Sequence, residues 1–174
     1  MEIEKIQVLN GLNVWSADQK KLIQMRLNIG SYHLLTSNRI SGFTDRIKTM
    51  MPSLYMHKCS HGMVGSFFNK IDEGVSIPYI IQHIALELQC LVGMQTNFGI
   101  TVKANSPEIY NVVINYINED AGMYAALAAV EITEALIKGK PYFIKHDINR
   151  LQNLYQEYQQ KQSQTTIENN VKVA

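Results

Sequence analysis

The chain has 174 residues, about one domain by the usual span of roughly 100–200 residues, and enough to bury a real core. Apolar residues make up 46% of it and charged residues 18%, a globular balance that excludes a disordered chain. The net charge is +1 and the Lys and Arg residues are scattered, so no footprint for nucleic acid or an anionic membrane surface is expected, and no apolar run is long enough for a transmembrane helix.

The first residues, MEIEKIQVLNG, contain no apolar run of signal-peptide length. Cys59 and Cys90 are the only cysteines and neither belongs to a CxxC pair. Isolated thiols without an export signal point to a reducing cytoplasm and free cysteines rather than a disulfide.

In chain order, Glu4–Leu9 reads as a short apolar segment ended by the turn signal Asn10-Gly11. Over Lys21–Ile29, the apolar residues Ile23, Met25, Leu27 and Ile29 alternate with Gln24, Arg26 and Asn28, the period of a strand with one wet face. Thr44–Met51 reads as a helix stopped by Pro52, and Ser66–Glu73 as another closed by Gly74.

An apolar helix is predicted over Ile77–Met94. Ile77, Ile80, Ile81, Ile84, Leu88, Leu91 and Val92 cover most of its circumference, so it should be buried on most sides. Ser76 suits its N-cap and Pro78 its first turn, where a missing N–H costs nothing.

Phe98–Lys103 and Ile109–Ile117 read as two strands joined through Asn105-Ser106-Pro107. Asn118 then caps an Ala-rich helix with Glu119 and Asp120 in its first turn, and this helix runs to Lys138 before Gly139. A polar helix near Asp147–Tyr158 follows, and the Gln/Ser/Thr/Asn-rich residues after Gln159 read as a linker or frayed tail. Paired strands with helices between and after them predict an α+β domain over residues 1–158. Its mostly antiparallel sheet should be packed against the buried central helix and the Ala-rich helix.

Phosphate-binding patterns are absent: there is no G-x-x-x-x-G-K-S/T and no G-x-G-x-x-G, and the Ser elbow G-x-S-x-G is missing too. The central helix carries a narrow polar stripe of Tyr79, Gln82, His83 and Glu87, spaced to line one face. His83 and Glu87, four apart, are placed to share one metal ion or one proton. His57, Cys59 and His61 precede the helix and would add ligands if their loop folds over it. The competing reading is a core histidine satisfied by Glu87, with Cys59 a small buried hydrophobe and His57 and His61 ordinary loop residues.

Several stretches resemble the amino-terminal domain of cyanophycin synthetase. They are Asn13-Val14-Trp15, Pro52-Ser53-Leu54, His57-Lys58-Cys59-Ser60, His83-Ile84-Ala85-Leu86-Glu87-Leu88-Gln89, Gly93-Met94, Phe98-Gly99, Tyr110-Asn111-Val112-Val113 and Glu119-Asp120-Ala121-Gly122-Met123-Tyr124-Ala125-Ala126. The matching order spans roughly residues 3–155, and Leu86-Glu87-Leu88-Gln89 is its most specific piece.

In that family the full enzyme uses ATP, with magnesium implied, to add aspartate to a polymer backbone and arginine to its side chains. An ATP-grasp domain and a Mur-ligase-like domain carry out those steps. The resemblance implies that the amino-terminal segment has no ligase activity or cofactor of its own. It would hold the Asp/Arg polymer and contribute to a homo-oligomer.

Some relatives also carry a hydrolytic zinc site on a His-x-x-Glu-His helix that trims polymer into primers. The matching positions here read Tyr79-Ile80-Ile81-Gln82-His83, and only the last agrees. A neutral Gln82 cannot take a proton from metal-bound water, and Ile100 stands where relatives carry Arg after Phe-Gly. The resemblance therefore implies a degenerate site with no catalytic residue and no metal. His83, Glu87, His57 and Cys59 are its weak residual ligands, and its cavity is expected to survive as a polar pocket. The alternatives are a surviving zinc-dependent hydrolase and a free-standing interaction protein.

Overall fold

The computed structural model describes residues 1–12, 19–57 and 62–172. Four strands, β1 (Glu2–Leu12), β2 (Gln19–Asn28), β3 (Gly99–Lys103) and β4 (Ile109–Asn115), form one sheet in the order β1-β2-β4-β3. All three pairings are antiparallel. Among the described residues there are five α-helices: α1 (Phe43–Met50), α2 (Ser66–Glu73), α3 (Ile77–Cys90), α4 (Glu119–Lys138) and α5 (Lys145–Lys172). This is the α+β architecture that the sequence predicts.

The alternation in β2 is what splits the sheet into a dry and a wet face. Ile23, Met25 and Leu27 are buried together with Val112 and Ile114 of β4, to which they are neighbours in register. On the other face Gln7 donates to Gln24 at 2.8 Å and Arg26 pairs with Glu4 at 2.9 Å. The dry face receives α3 and α4. The α1–α2 segment and the start of α5 pack against them from outside.

From Ile77 to Gln89, only Tyr79 of α3 is not fully buried. Ile80, Ile81, Ile84 and Leu88 are wholly inaccessible, and burial of each such side chain stabilises the fold by roughly 1.5–3 kcal/mol. The Ala-rich face of α4 gives the close approach expected of small residues. A Cβ on Gly122 would lie 2.7 Å from the Tyr116 Cβ and 2.8 Å from the Ile23 Cδ1, so only Gly lets the helix sit this low on the sheet. Asn118 caps α4 as predicted, its Oδ1 accepting from the Ala121 N–H at 2.8 Å.

The structure departs from the sequence reading mainly at element ends. Asn10-Gly11 is not a turn: both residues pair with β2, opposite Lys21 and Lys20, because the long partner strand extends the ladder past the turn signal. The central helix ends at Cys90 rather than Met94, and Gly93 then turns the chain with φ 89°. The strand expected to reach Ile117 stops at Asn115, whose Oδ1 takes the N–H groups of Asn97 and Phe98. The last helix runs to Lys172, well past Tyr158. Its Gln, Lys and Glu residues are good helix formers, and extending an existing helix costs far less than starting one. Among the described residues no helix is long and apolar enough to cross a membrane.

Candidate functional site

His57 follows a 3-10 turn, Pro52–Met56, anchored by buried Leu54 and closed by the His57 N–H on the Leu54 carbonyl at 3.1 Å. The chain returns at Gly65, whose N–H donates to the Tyr55 carbonyl at 2.7 Å. Gly65 has φ +84°, a backbone conformation that favours glycine at this crossing. These contacts lay His57 on α3. Cys59, His61 and Asn13-Val14-Trp15 lie outside the described residues.

On α3 the His57 ring joins two members of the polar stripe. Its Nε2 lies 2.7 Å from Glu87 Oε2, and its Nδ1 lies 3.0 Å from His83 Nδ1. Burial, and secondarily the facing His57, push the His83 pKa down from 6.5 to about 3, so His83 is neutral at ordinary pH. With Glu87 ionised, two proton arrangements satisfy both contacts. His57 is an imidazolium donating in both directions, or it is neutral and accepts from the His83 Nδ1–H. In either, the His57 Nε2–H donates to the carboxylate.

Aromatic rings wall the chain. Phe67, in the first turn of α2, has its centroid 4.7 Å from that of His83 and 6.2 Å from that of His57. Tyr79 lies 4.6 Å from His83 and stacks with Phe67 at 6.3 Å. The apolar wall accounts for the depressed basicity of His83, because it removes the water that would solvate a cation.

The predicted stripe does not hold together as one face. At 3.6 residues per turn, Gln82 and Glu87 point about 140° apart around the axis. Gln82 turns to the sheet instead, where its Oε1 accepts from the Thr101 hydroxyl at 2.8 Å and its side chain lies against the Gly99 backbone. The site is therefore His57, His83 and Glu87 with Tyr79 and Phe67, and Gln82 belongs to a separate contact. Phe67 and Thr101 are the residues that sequence reasoning missed. Nothing in spacing links them to α3, because both arrive through the tertiary fold.

As a metal centre, these residues do not fit. Glu87 and His83 hold opposite nitrogens of one imidazole, so the three groups form a chain rather than a cage around a point. Among the described residues no group of three His, Cys, Asp or Glu side chains is arranged to hold an ion. Gln82, on the same helix, faces away from these three groups toward Thr101. Cys90 is a free thiol whose Sγ donates to the Thr96 carbonyl at 3.2 Å.

These features define an α+β domain in which a loop histidine and a buried helix share a closed carboxylate–imidazole chain. Residues 23–138 match the model of the cyanophycin synthase-like N-terminal domain, and the chain belongs to that family. It is 41% identical over 160 residues to cyanophycin synthetase of Trichormus variabilis and 41% identical over 157 residues to that of Synechocystis. It is 43% identical over 142 residues to that of Geminocystis herdmanii. These alignments cover 90%, 88% and 82% of this chain but only 18%, 18% and 16% of the relatives. The chain thus spans less than a fifth of the length of the curated relatives it matches.

Proposed function

We propose that this chain is the non-catalytic, polymer-binding and assembly domain of a cyanophycin synthetase-like ATP-dependent ligase. The observation that carries the reading is the identity of 41% across 90% of the chain to synthetases several times its length. ATP and magnesium would serve the ATP-grasp and Mur-ligase-like domains of such a parent in the cytoplasm, and this domain would hold the Asp/Arg polymer and take part in a homo-oligomer.

The α3 site supports the non-catalytic half of the proposal. Both His57 ring nitrogens are engaged, and His83 is a poor base. The test is a titration of the purified chain with soluble β-aspartyl-arginine polymer at low salt. Saturable binding without release of short oligomers is expected, and no detectable binding overturns the polymer role.

One observation favours a second reading, a zinc-dependent hydrolase that trims the polymer: His57 is hydrogen-bonded to both His83 and Glu87. That reading requires stoichiometric zinc in the purified protein and cleavage that His83→Ala abolishes. A free-standing interaction protein is separated from both by the reading frame beyond Ala174, where an ATP-grasp sequence is expected.

A further inference from the structure

A groove of about 750 Å³ runs between α1 and the segment that links α4 to α5. Met50, Leu136, Tyr142 and Ile144 line it, and Phe143 stands at its lip, 81% exposed. One wall is fixed by Arg46, which donates from Nε to the Leu136 carbonyl and from Nη1 to the Ser41 carbonyl, both at 2.9 Å. The groove is therefore a built feature that ties α1 to the end of α4.

The wall that links α4 to α5 is cationic. Lys140 and Lys145 line it, and His146 and Arg150 follow in the same short stretch; all four are exposed, whereas Lys138 is paired with Glu134 at 2.8 Å. The only acid there, Asp147, is buried and accepts from the Tyr124 hydroxyl at 2.9 Å as well as from Tyr142. Its charge is therefore turned inward and the surface left to the cations. Asp45 supplies an exposed carboxylate on the opposite rim.

We infer that this groove, and not the α3 site, is where the chain grips a peptide that bears carboxylates and guanidinium groups together. Lys140 and Lys145 meet the carboxylates. The open face of Phe143 stacks a guanidinium, and Asp45 pairs with another. The inference rests on the polymer reading above and gives it an address.

The probe is a short fluorescein-labelled synthetic oligomer of β-aspartyl-arginine, followed by anisotropy at low salt. Phe143→Ala and the pair Lys140→Ala/Lys145→Ala should each weaken binding by about tenfold or more. Lys5→Ala and Lys21→Ala, at exposed positions on the sheet, should leave it unchanged. All five positions are exposed, so thermal melts should coincide with that of the parent chain. Groove variants that bind as tightly as the parent overturn this inference and leave the polymer reading standing. A parent chain that does not bind the oligomer overturns both. Phe143-dependent sedimentation with anionic vesicles, without oligomer binding, assigns the groove to a lipid surface and overturns it as well.

Discussion

The Nε2 of His57 lies 2.7 Å from the Oε2 of Glu87, a residue thirty positions further along the chain. One contact pins the loop to the middle of the buried helix, and each side chain is mostly withdrawn from water. A carboxylate so placed is costly to leave alone, and its partner fixes where the loop lies.

Removing the carboxylate should show that cost. Glu87→Ala leaves His57 without its acceptor and opens a void beside α3, and it should destabilise the chain by about 3 kcal/mol. Glu87→Gln keeps an acceptor oxygen in nearly the same place and should cost only about 1 kcal/mol. Urea denaturation of the two variants checks the ranking. Equal, small losses would mean that the contact contributes nothing to stability.

The depressed His83 gives the fold an acid sensitivity with a definite sign. In the unfolded chain this histidine takes its proton near pH 6.5, but in the native state only near pH 3. Between those values the unfolded state binds more protons, so stability falls as pH falls, by up to about 1.4 kcal/mol per pH unit from this group. Denaturation midpoints at pH 7, 6 and 5 should decline, and His83→Gln should flatten the decline. A His83 ring resonance that titrates near pH 6.5 in the folded protein would sink the prediction.

At Gly99 the prediction concerns space. A Cβ there would lie 2.7 Å from Gln82 Nε2 and 2.8 Å from its Cγ, within a buried contact. Gly99→Ala should push Gln82 off the Thr101 hydroxyl and destabilise by about 1–3 kcal/mol. In a Gln82→Ala background the same change should cost much less, because the clash is gone. A double-mutant cycle measures the difference.

Asn118→Ala should cost about 1 kcal/mol, since the cap bond to the Ala121 N–H is lost while Glu119 and Asp120 remain in the first turn of α4. Asn118→Asp should restore most of it. Thermal melts of the pair provide the check.

The helices are legible in the sequence wherever local chemistry decides them. Ser66–Glu73 and Glu119–Lys138 have the bounds their capping residues predict, and the apolar circumference of α3 predicts its burial. Strand ends were less legible. Asn10-Gly11 carries a turn signature but pairs with β2, because what a strand end does depends on its partner. The polar stripe was half legible: the angular spread between Gln82 and Glu87 allows two destinations, and only the fold brings Thr101 to one and His57 to the other. The basic stretch from Lys138 to Arg150 passed as scattered charge, because its one-sidedness depends on Asp147 being buried.

The strand order β1-β2-β4-β3 also sets how the molecule assembles. Each outer pair joins strands that are neighbours in sequence, so both hairpins close over short stretches of chain. The seam between β2 and β4 instead brings Leu22 to Asn115, with α1, α2 and α3 looped out between them. Pairing over that separation has high contact order and paces folding. His57, His83 and Glu87 all lie inside the looped-out stretch. The His57–Glu87 contact closes a stretch of thirty positions, a far shorter loop than the one the seam has to close.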